Sequence, residues 1–202
     1  MGVSMPGHSY RGALPPLSPA QAELQSRLHR HIETLAGTIG ERNLHRYSAL
    51  QAAARYITEV FEELGYQPVA HPYHVRRYRV QNIEAVKPGS PETDEIIVIG
   101  AHYDSVRGSP GANDNASGVA ALLELARLLR AQPVAREVRF VAFVNEEPPT
   151  SIATPWAVCT MPGKRQPRAN ASRRCCPSLF RHRQLIAPST RPVHNHLAMT
   201  PS

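Results

Sequence analysis

The sequence predicts an α/β fold, and three observations carry that reading. Two short, continuously apolar runs, "IIVIGA" at residues 96–101 and "VRFVAFV" at residues 138–144, have the length and composition of strands buried on both faces of a sheet. Between them lies "NASGVAALLELARLLRA", whose apolar residues recur at helical spacing. A strand, a helix and a second strand joined by a crossover of this length imply a parallel pair.

The elements before this unit follow in order. Ser18 is a helix N-cap and Pro19 suits the first helical position, where its missing N–H costs nothing. Leu24, Leu28, Ile32 and Leu35 then recur at helical spacing, and Gly37 is expected to close the helix. A second helix is expected from near Ser48, with Leu50, Ala54, Ile57, Phe61 and Leu64 as its stripe and Gly65 as its C-terminal cap. The period then changes. "YQPVAHPYHV" and "YRVQNIEAV" read as strands, the second alternating imperfectly through Tyr78, Val80, Ile83 and Val86. "KPGSPETDE" is a polar turn. In the helix between the apolar strands, Ala116, Ala120, Leu123 and Leu128 are expected to face inward.

A chain of 202 residues suggests one domain with a tail. Its formal charge of +7 suggests an acidic partner until its distribution is considered. All 16 Asp and Glu lie at or before Glu147, whereas eight Lys and Arg, and all three cysteines, lie beyond Thr150. Residues before Thr150 are therefore close to neutral, and the basicity belongs to the tail. Residues 1–17 read as an extended, Pro-rich arm without the apolar core of a signal peptide. No run reaches the ~18 apolar residues of a membrane span. A cytoplasmic location is the default expectation, with a leader lost upstream as the alternative.

The chemistry gathers where the apolar runs end. Ligands of open α/β sheets bind beyond the carboxyl ends of the strands. "HYDSVRGSPGANDNASG" follows the first run and Asn145-Glu146-Glu147 follows the second. If the strands are neighbours, His102, Asp104, Asp114, Glu146 and Glu147 converge at one edge. Imidazole and carboxylates are zinc ligands, and a carboxylate can bridge two ions. Alone, a His-x-Asp is a surface pair, an Asn-Asp-Asn run a turn and a Glu-Glu pair a solvated edge. Their joint placement at strand ends favours a metal site.

At this point "GAHYDSVRGSPGANDNASGVAALLELARLL" followed by "VRFVAFVNEEPP" resembles the co-catalytic zinc aminopeptidases, the group of aminopeptidase Y and glutamate-carboxypeptidase-like enzymes. The likeness extends upstream through "GERN", "ELGY" and "VQNIEAV", over roughly residues 10–149. It implies a mixed β-sheet flanked by helices, of the zinc-exopeptidase type. It further implies that His102 binds one zinc, that Asp114 bridges both ions and that Glu147 binds the second. Glu146 corresponds to the general base that takes a proton from the metal-activated water, and Asp104 to the carboxylate that orients His102. The implied substrate is a peptide or aminoacyl compound cleaved at its N-terminal bond.

After "NEEPP" the likeness stops. Residues 150–202 have no acids, much Pro and Arg and no sustained period, so they are expected to be irregular. Reading codons from the third base of Pro149 permits Tyr-Phe-His-Ser-Asp-Ala-Met-Gly-Ser, as the family pattern requires there. Trp156-Ala157 forces a glycine in that frame and Met161-Pro162 an alanine, both where the pattern has them. The hypothesis is a frameshift near codon 149. The ligands the resemblance implies are then incomplete, and the chain as written is expected to be a poor peptidase. Two rivals stand beside this reading. One is an inactive fragment binding at most one metal. The other is a cationic tail tethering nucleic acid or membrane, disfavoured because the tail lacks interleaved aromatics and a helical face. A change of reaction within the fold, such as glutaminyl cyclisation, is a further variant. Sequencing the DNA across codon 149 is expected to show an inserted or lost base relative to intact relatives; a relative carrying this same tail in frame would refute the frameshift.

Overall fold

The computed structural model describes residues 11–147, which fall within one compact unit, Met1–Lys164. The expectations for residues 1–10 and for the tail at 150–202 lie outside the described residues. Residues 11–18 form no helix or strand. Helix α1 (Pro19–Ile32) begins as the sequence predicts. The Ser18 hydroxyl accepts from the Gln21 N–H and the Gln21 side chain accepts from the Ser18 N–H, closing a capping box. The helix does not stop at Gly37. It continues as a wider π-helical segment, Glu33–Ile39, and ends at Gly40, whose φ of 76° is the left-handed value that terminates helices. Of its expected inward residues only Leu35 is fully buried. The reason is that α1 packs on a neighbouring helix instead of on the sheet, so Leu24, Leu28 and Ile32 border an open groove.

A single 3₁₀ turn, Leu44–Arg46, capped by the Asn43 side chain, leads into α2 (Tyr47–Glu63). Leu50, Ala54, Ile57 and Phe61 are buried on one face. The helix closes with paired bonds, the Gly65 N–H to the Glu62 carbonyl and the Tyr66 N–H to the Phe61 carbonyl, with Gly65 at φ 79°. Strands β1 (Val69–Val75) and β2 (Tyr78–Lys87) form an antiparallel hairpin. Pro72 is tolerated within β1 because that strand lies at an edge, where a missing N–H breaks no interior ladder.

Strand β3 (Ile96–His102), a π-helical turn (Ala112–Ala116), helix α3 (Ser117–Leu129) and strand β4 (Glu137–Phe143) complete the described residues. The sheet order is β1-β2-β4-β3, with β2 antiparallel and β3 parallel to β4. The sheet is mixed and helices flank it. Strand β4 is central and buried from Val138 to Ala142. Strand β3 differs from expectation. It is the outer strand of the described sheet, so Ile96, Ile97 and Val98 remain 41%, 42% and 48% exposed. Leu128 is also exposed, because α3 buries the stripe Val119, Leu122, Leu123 and Ala126, and Leu128 lies well around the helix from it.

The core joins α2 and α3 to one another and to the sheet through Ile57, Phe61, Val119, Leu122, Val138 and Phe140. Tyr66 stacks edge-on against Phe61 and Phe140 at 6.2 and 5.9 Å, and its hydroxyl donates to the Ala126 carbonyl. Between the helices lies a polar contact. Nδ1 of His31 is 2.6 Å from the Tyr56 hydroxyl, and Nε2 is 3.4 Å from Glu124, which also pairs with Arg127 at 2.7 Å. Burial lowers the pKa of His31 below 6.5 despite Glu124, with Arg30 and Arg27 acting in the same direction as burial. A depressed folded-state pKa means that the neutral ring stabilises the fold above the unfolded value and that this stability is lost as pH falls below it. Denaturant midpoints are therefore expected to fall as pH drops through 6.5 toward the lowered value, and less steeply in His31→Gln; identical pH profiles for both proteins would refute this.

Candidate metal centre

The parallel pairing of β3 with β4 decides where the polar residues meet. His102 is the last residue of β3 and stands opposite Phe143, the last of β4. The Tyr103 N–H continues the ladder to the Phe143 carbonyl at 2.9 Å. Both strands thus release their chains on the same edge. Asn145 then takes a φ of 63°, a left-handed turn that Asn adopts more readily than most side chains. Its amide donates to the Tyr73 hydroxyl, which donates to the Val144 carbonyl, while the Val144 N–H donates to Asn82. The β1–β2 hairpin therefore holds this turn. Past it, Glu146 leaves a side chain 62% exposed, and Glu147 is half-buried.

Asp104 ties the two strand ends together. It is buried, and its two carboxylate oxygens accept separately from the Glu146 and Glu147 N–H groups at 3.3 and 3.2 Å. The same carboxylate lies 3.6 Å from Nδ1 of His102, whose nearer contact is the Asp104 main-chain oxygen at 3.2 Å. One aspartate thus sets the histidine ring and the backbone of both glutamates.

The loop that brings in Asp114 is organised around Arg42, which is fully buried. Its guanidinium donates to the carbonyls of Tyr103, Leu35, Gly40, Pro110 and Gly111. Its main chain exchanges two more bonds with Ser105, the Arg42 N–H to Ser105 Oγ and the Ser105 N–H to the Arg42 carbonyl. Burial lowers the Arg42 pKa to about 10, partly opposed by Asp104, so the group remains a cation near neutral pH. Gly111 is required where the loop turns. Its φ is 59°, and a Cβ there would lie 2.6 Å from both the Asp114 carbonyl oxygen and Ser105 Cβ. The Asp114–Asn115 peptide that follows is cis.

The result is a compact donor set. Single ligand atoms of His102, Asp114 and Glu147 all lie within 4.8 Å of one another. Nε2 of His102 is 3.0 Å from Asp114 Oδ1, close to the separation of about 3.3 Å expected of two donors on one tetrahedral zinc. Glu146 Oε2 stands 3.8 Å from the same nitrogen, beside the trio and toward solvent. Burial opposes charge on His102, but Asp104, Glu146 and Asp114 outweigh it and raise the pKa to about 9. Burial, then Asp114, pushes the Glu147 carboxyl upward. Four carboxylates around one imidazole make the site strongly negative, and one imidazole with carboxylates is a zinc donor set. The residues fit a divalent cation.

All five residues singled out from the sequence are brought to this edge. What sequence reasoning missed is the support. Arg42 stood in the quoted "GERN", but nothing in that run marks its side chain as buried. Asn145, Tyr73 and Asn82 carried no signal, because their partners are distant in the chain. Arg42→Met would remove the side-chain donor shared by five carbonyls, among them that of buried Tyr103. It is expected to cost about 3–5 kcal/mol by chemical denaturation, and a loss below about 1 kcal/mol would contradict the organising role.

Residues 82–161 match the model of peptidase family M28. The chain is 37% identical over 142 residues to YfbL of Escherichia coli K12, a match covering 66% of this chain and 43% of that protein. It is 50% identical over 68 residues to aminopeptidase YwaD of Bacillus subtilis, covering 33% of this chain and 15% of the relative. Aminopeptidase Y of Saccharomyces cerevisiae is 34% identical over 121 residues, covering 57% and 22%. The chain thus spans less than half the length of these curated relatives. Among solved structures, the Bacillus subtilis zinc aminopeptidase BSAP superposes with a TM-score of 0.55 at 16% identity over 58% of this chain and 61% of its own, a likeness of fold. A glutaminyl cyclase of Fimbriiglobus ruber gives 0.54 at 26% identity over 68% and 50%. The stretch that carries the candidate ligands is the one that matches the peptidase family M28 model.

Proposed function

We propose that the domain to which residues 18–149 belong is a zinc-dependent exopeptidase that cleaves N-terminal peptide bonds. The observation that carries this reading is the convergence of His102, Asp114 and Glu147 within 4.8 Å, with the Glu146 carboxylate alongside. His102, Asp114 and Glu147 would hold the metal, Asp114 offering a second oxygen to a neighbouring ion. Zinc bound there supplies Lewis-acid polarisation of the scissile carbonyl and a nucleophile at neutral pH. Glu146 is the proton carrier. Its exposed carboxylate accepts a proton from water at the cleft and returns it to the departing amine, while its backbone is held by Asp104. Asp104 is a positioning residue, acting through His102 and through the two glutamate N–H groups. The negative edge also attracts the free α-ammonium that distinguishes an N-terminal substrate.

Among the described residues the donor set for such a centre is partial. Two ions held a few ångströms apart need more donors than the three described here supply, and affinity falls steeply with lost ligands. The sequence relatives named aminopeptidases favour peptide hydrolysis over glutaminyl cyclisation, although both activities occur among structural neighbours.

Calorimetric titration with zinc tests the reading. His102→Ala and Glu147→Gln are expected to abolish zinc binding, and Asp104→Asn to weaken it about 10–100-fold. Glu146→Gln should leave zinc affinity intact. Hydrolysis of an aminoacyl anilide by the 202-residue chain is expected near background. Zinc affinity indifferent to His102→Ala would sink the metal assignment, and vigorous turnover that survives Glu146→Gln would sink the proton-carrier role.

A further inference from the structure

A cleft of about 580 Å³ includes Glu147 of the ligand cluster in its lining. Asp104 and Glu147 line it together with Arg76, Arg77, Arg107 and His45. These four cationic or titratable side chains come from three separate segments: the β1–β2 turn, the loop after β3 and the 3₁₀ turn before α2. We infer that this cleft is a carboxylate-binding subsite, which selects peptides with an acidic side chain or a free α-carboxylate next to the cleaved bond. The inference rests on the exopeptidase reading above and names the substrate class of that same site.

The cationic lining is built rather than incidental. Arg76 and Arg77 are the two residues linking β1 to β2, and Arg76 sits at φ 54°, a left-handed position that favours glycine or asparagine. The Arg77 guanidinium lies 5.2 Å from the centre of the Tyr78 ring and donates to the Tyr78 hydroxyl at 3.1 Å. Tyr78 in turn packs on Tyr47 at 4.9 Å. The Tyr47 hydroxyl and the Gln51 amide both donate to the Arg79 carbonyl, fastening the hairpin to the start of α2. An arginine stacked on an anchored aromatic pair loses less freedom on binding than one on a free loop.

The neighbouring charges identify the anion's place. Arg107 faces Glu41, whose pKa is lowered first by Asn43 and further by Arg46 and Arg107, so that cation is partly compensated. No acidic partner of Arg76 or Arg77 occurs among the ion pairs of the described residues. A divalent cation on His102, Asp114 and Glu147 would offset part of the acidic charge that lies nearest the arginines. A carboxylate is then drawn to the hairpin side of the cleft while the substrate amine stays at the carboxylate edge.

The test uses the full chain loaded with zinc and measures peptide binding instead of turnover. Leu-Glu-Ala-amide is compared with Leu-Gln-Ala-amide, and free Leu-Ala with Leu-Ala-amide, so that side-chain and terminal carboxylates are told apart. At least one acid is expected to bind about fivefold more tightly than its neutral counterpart, with the preference shrinking as ionic strength rises. Arg76→Asn combined with Arg77→Gln should abolish the preference and leave zinc affinity unchanged; asparagine keeps the left-handed turn. A zinc-binding chain with equal affinity for both members of each pair overturns this inference alone. A preference that persists in the double variant, or that ignores salt in the unaltered chain, overturns it as well. Failure to bind zinc in the same samples removes the metal reading and the subsite with it.

Discussion

One buried guanidinium holds the edge with the candidate ligands in shape. Arg42 has no access to solvent, and it donates to carbonyls from the end of the first helical segment, the end of β3 and the loop before α3. A cation in such a position is stable only when polar groups replace its lost water. Here the replacements are main-chain carbonyls of Tyr103, Leu35, Gly40, Pro110 and Gly111. The requirement runs both ways, so the loop carrying Asp114 cannot relax without exposing Arg42, and Arg42 cannot leave without stranding the loop. Gly111 belongs to this constraint, because any side chain there would occupy the space between Ser105 and the Asp114 carbonyl.

Asp104 performs a parallel task across the sheet. The resemblance assigns it the orientation of His102, and the geometry adds the two glutamate N–H groups. A single carboxylate thereby links the ends of β3 and β4, which the backbone ladder alone would leave free past Phe143. Its burial matters energetically. Away from water its hydrogen bonds are stronger, and the same environment makes a missing partner costly. The His102 ring, pulled upward to about 9 by the acids around it, shows how much negative charge the edge concentrates. In the proposed metal site a divalent ion would answer that charge.

The hairpin supports both the glutamate turn and the neighbouring cleft. Tyr73 on β1 supports the Asn145 turn that aims the glutamates, and Tyr78 on β2 supports the arginine that lines the neighbouring cleft. The strands that steady the candidate ligands therefore also contribute to the lining of the cleft beside them. The outer side of the described sheet is less finished. Strand β3 leaves Ile96, Ile97 and Val98 in solvent, although their run of apolar residues suits a strand covered on both sides.

The sequence by itself determined the local elements and the candidate ligands. Ser18 capped α1, Gly65 closed α2, and the runs ending at His102 and Phe143 became strands, because each of these signals lies within a few residues of its effect. His102, Asp114, Glu146 and Glu147 were legible for a related reason: a strand-helix-strand unit constrains its two strand ends to one edge, so short-range order predicted a longer-range meeting. Only the tertiary structure decided the rest. Gly37 did not end the first helix and Leu128 did not turn inward, since packing against α3 and the sheet, and not local periodicity, chose those outcomes. The burial of Arg42, the left-handed turn at Asn145 and the anchoring of Arg77 depend on partners tens of residues away. A side chain's fate in such cases is set by which carbonyls, rings and charges the fold brings to it, and that information is not carried by its neighbours in the chain.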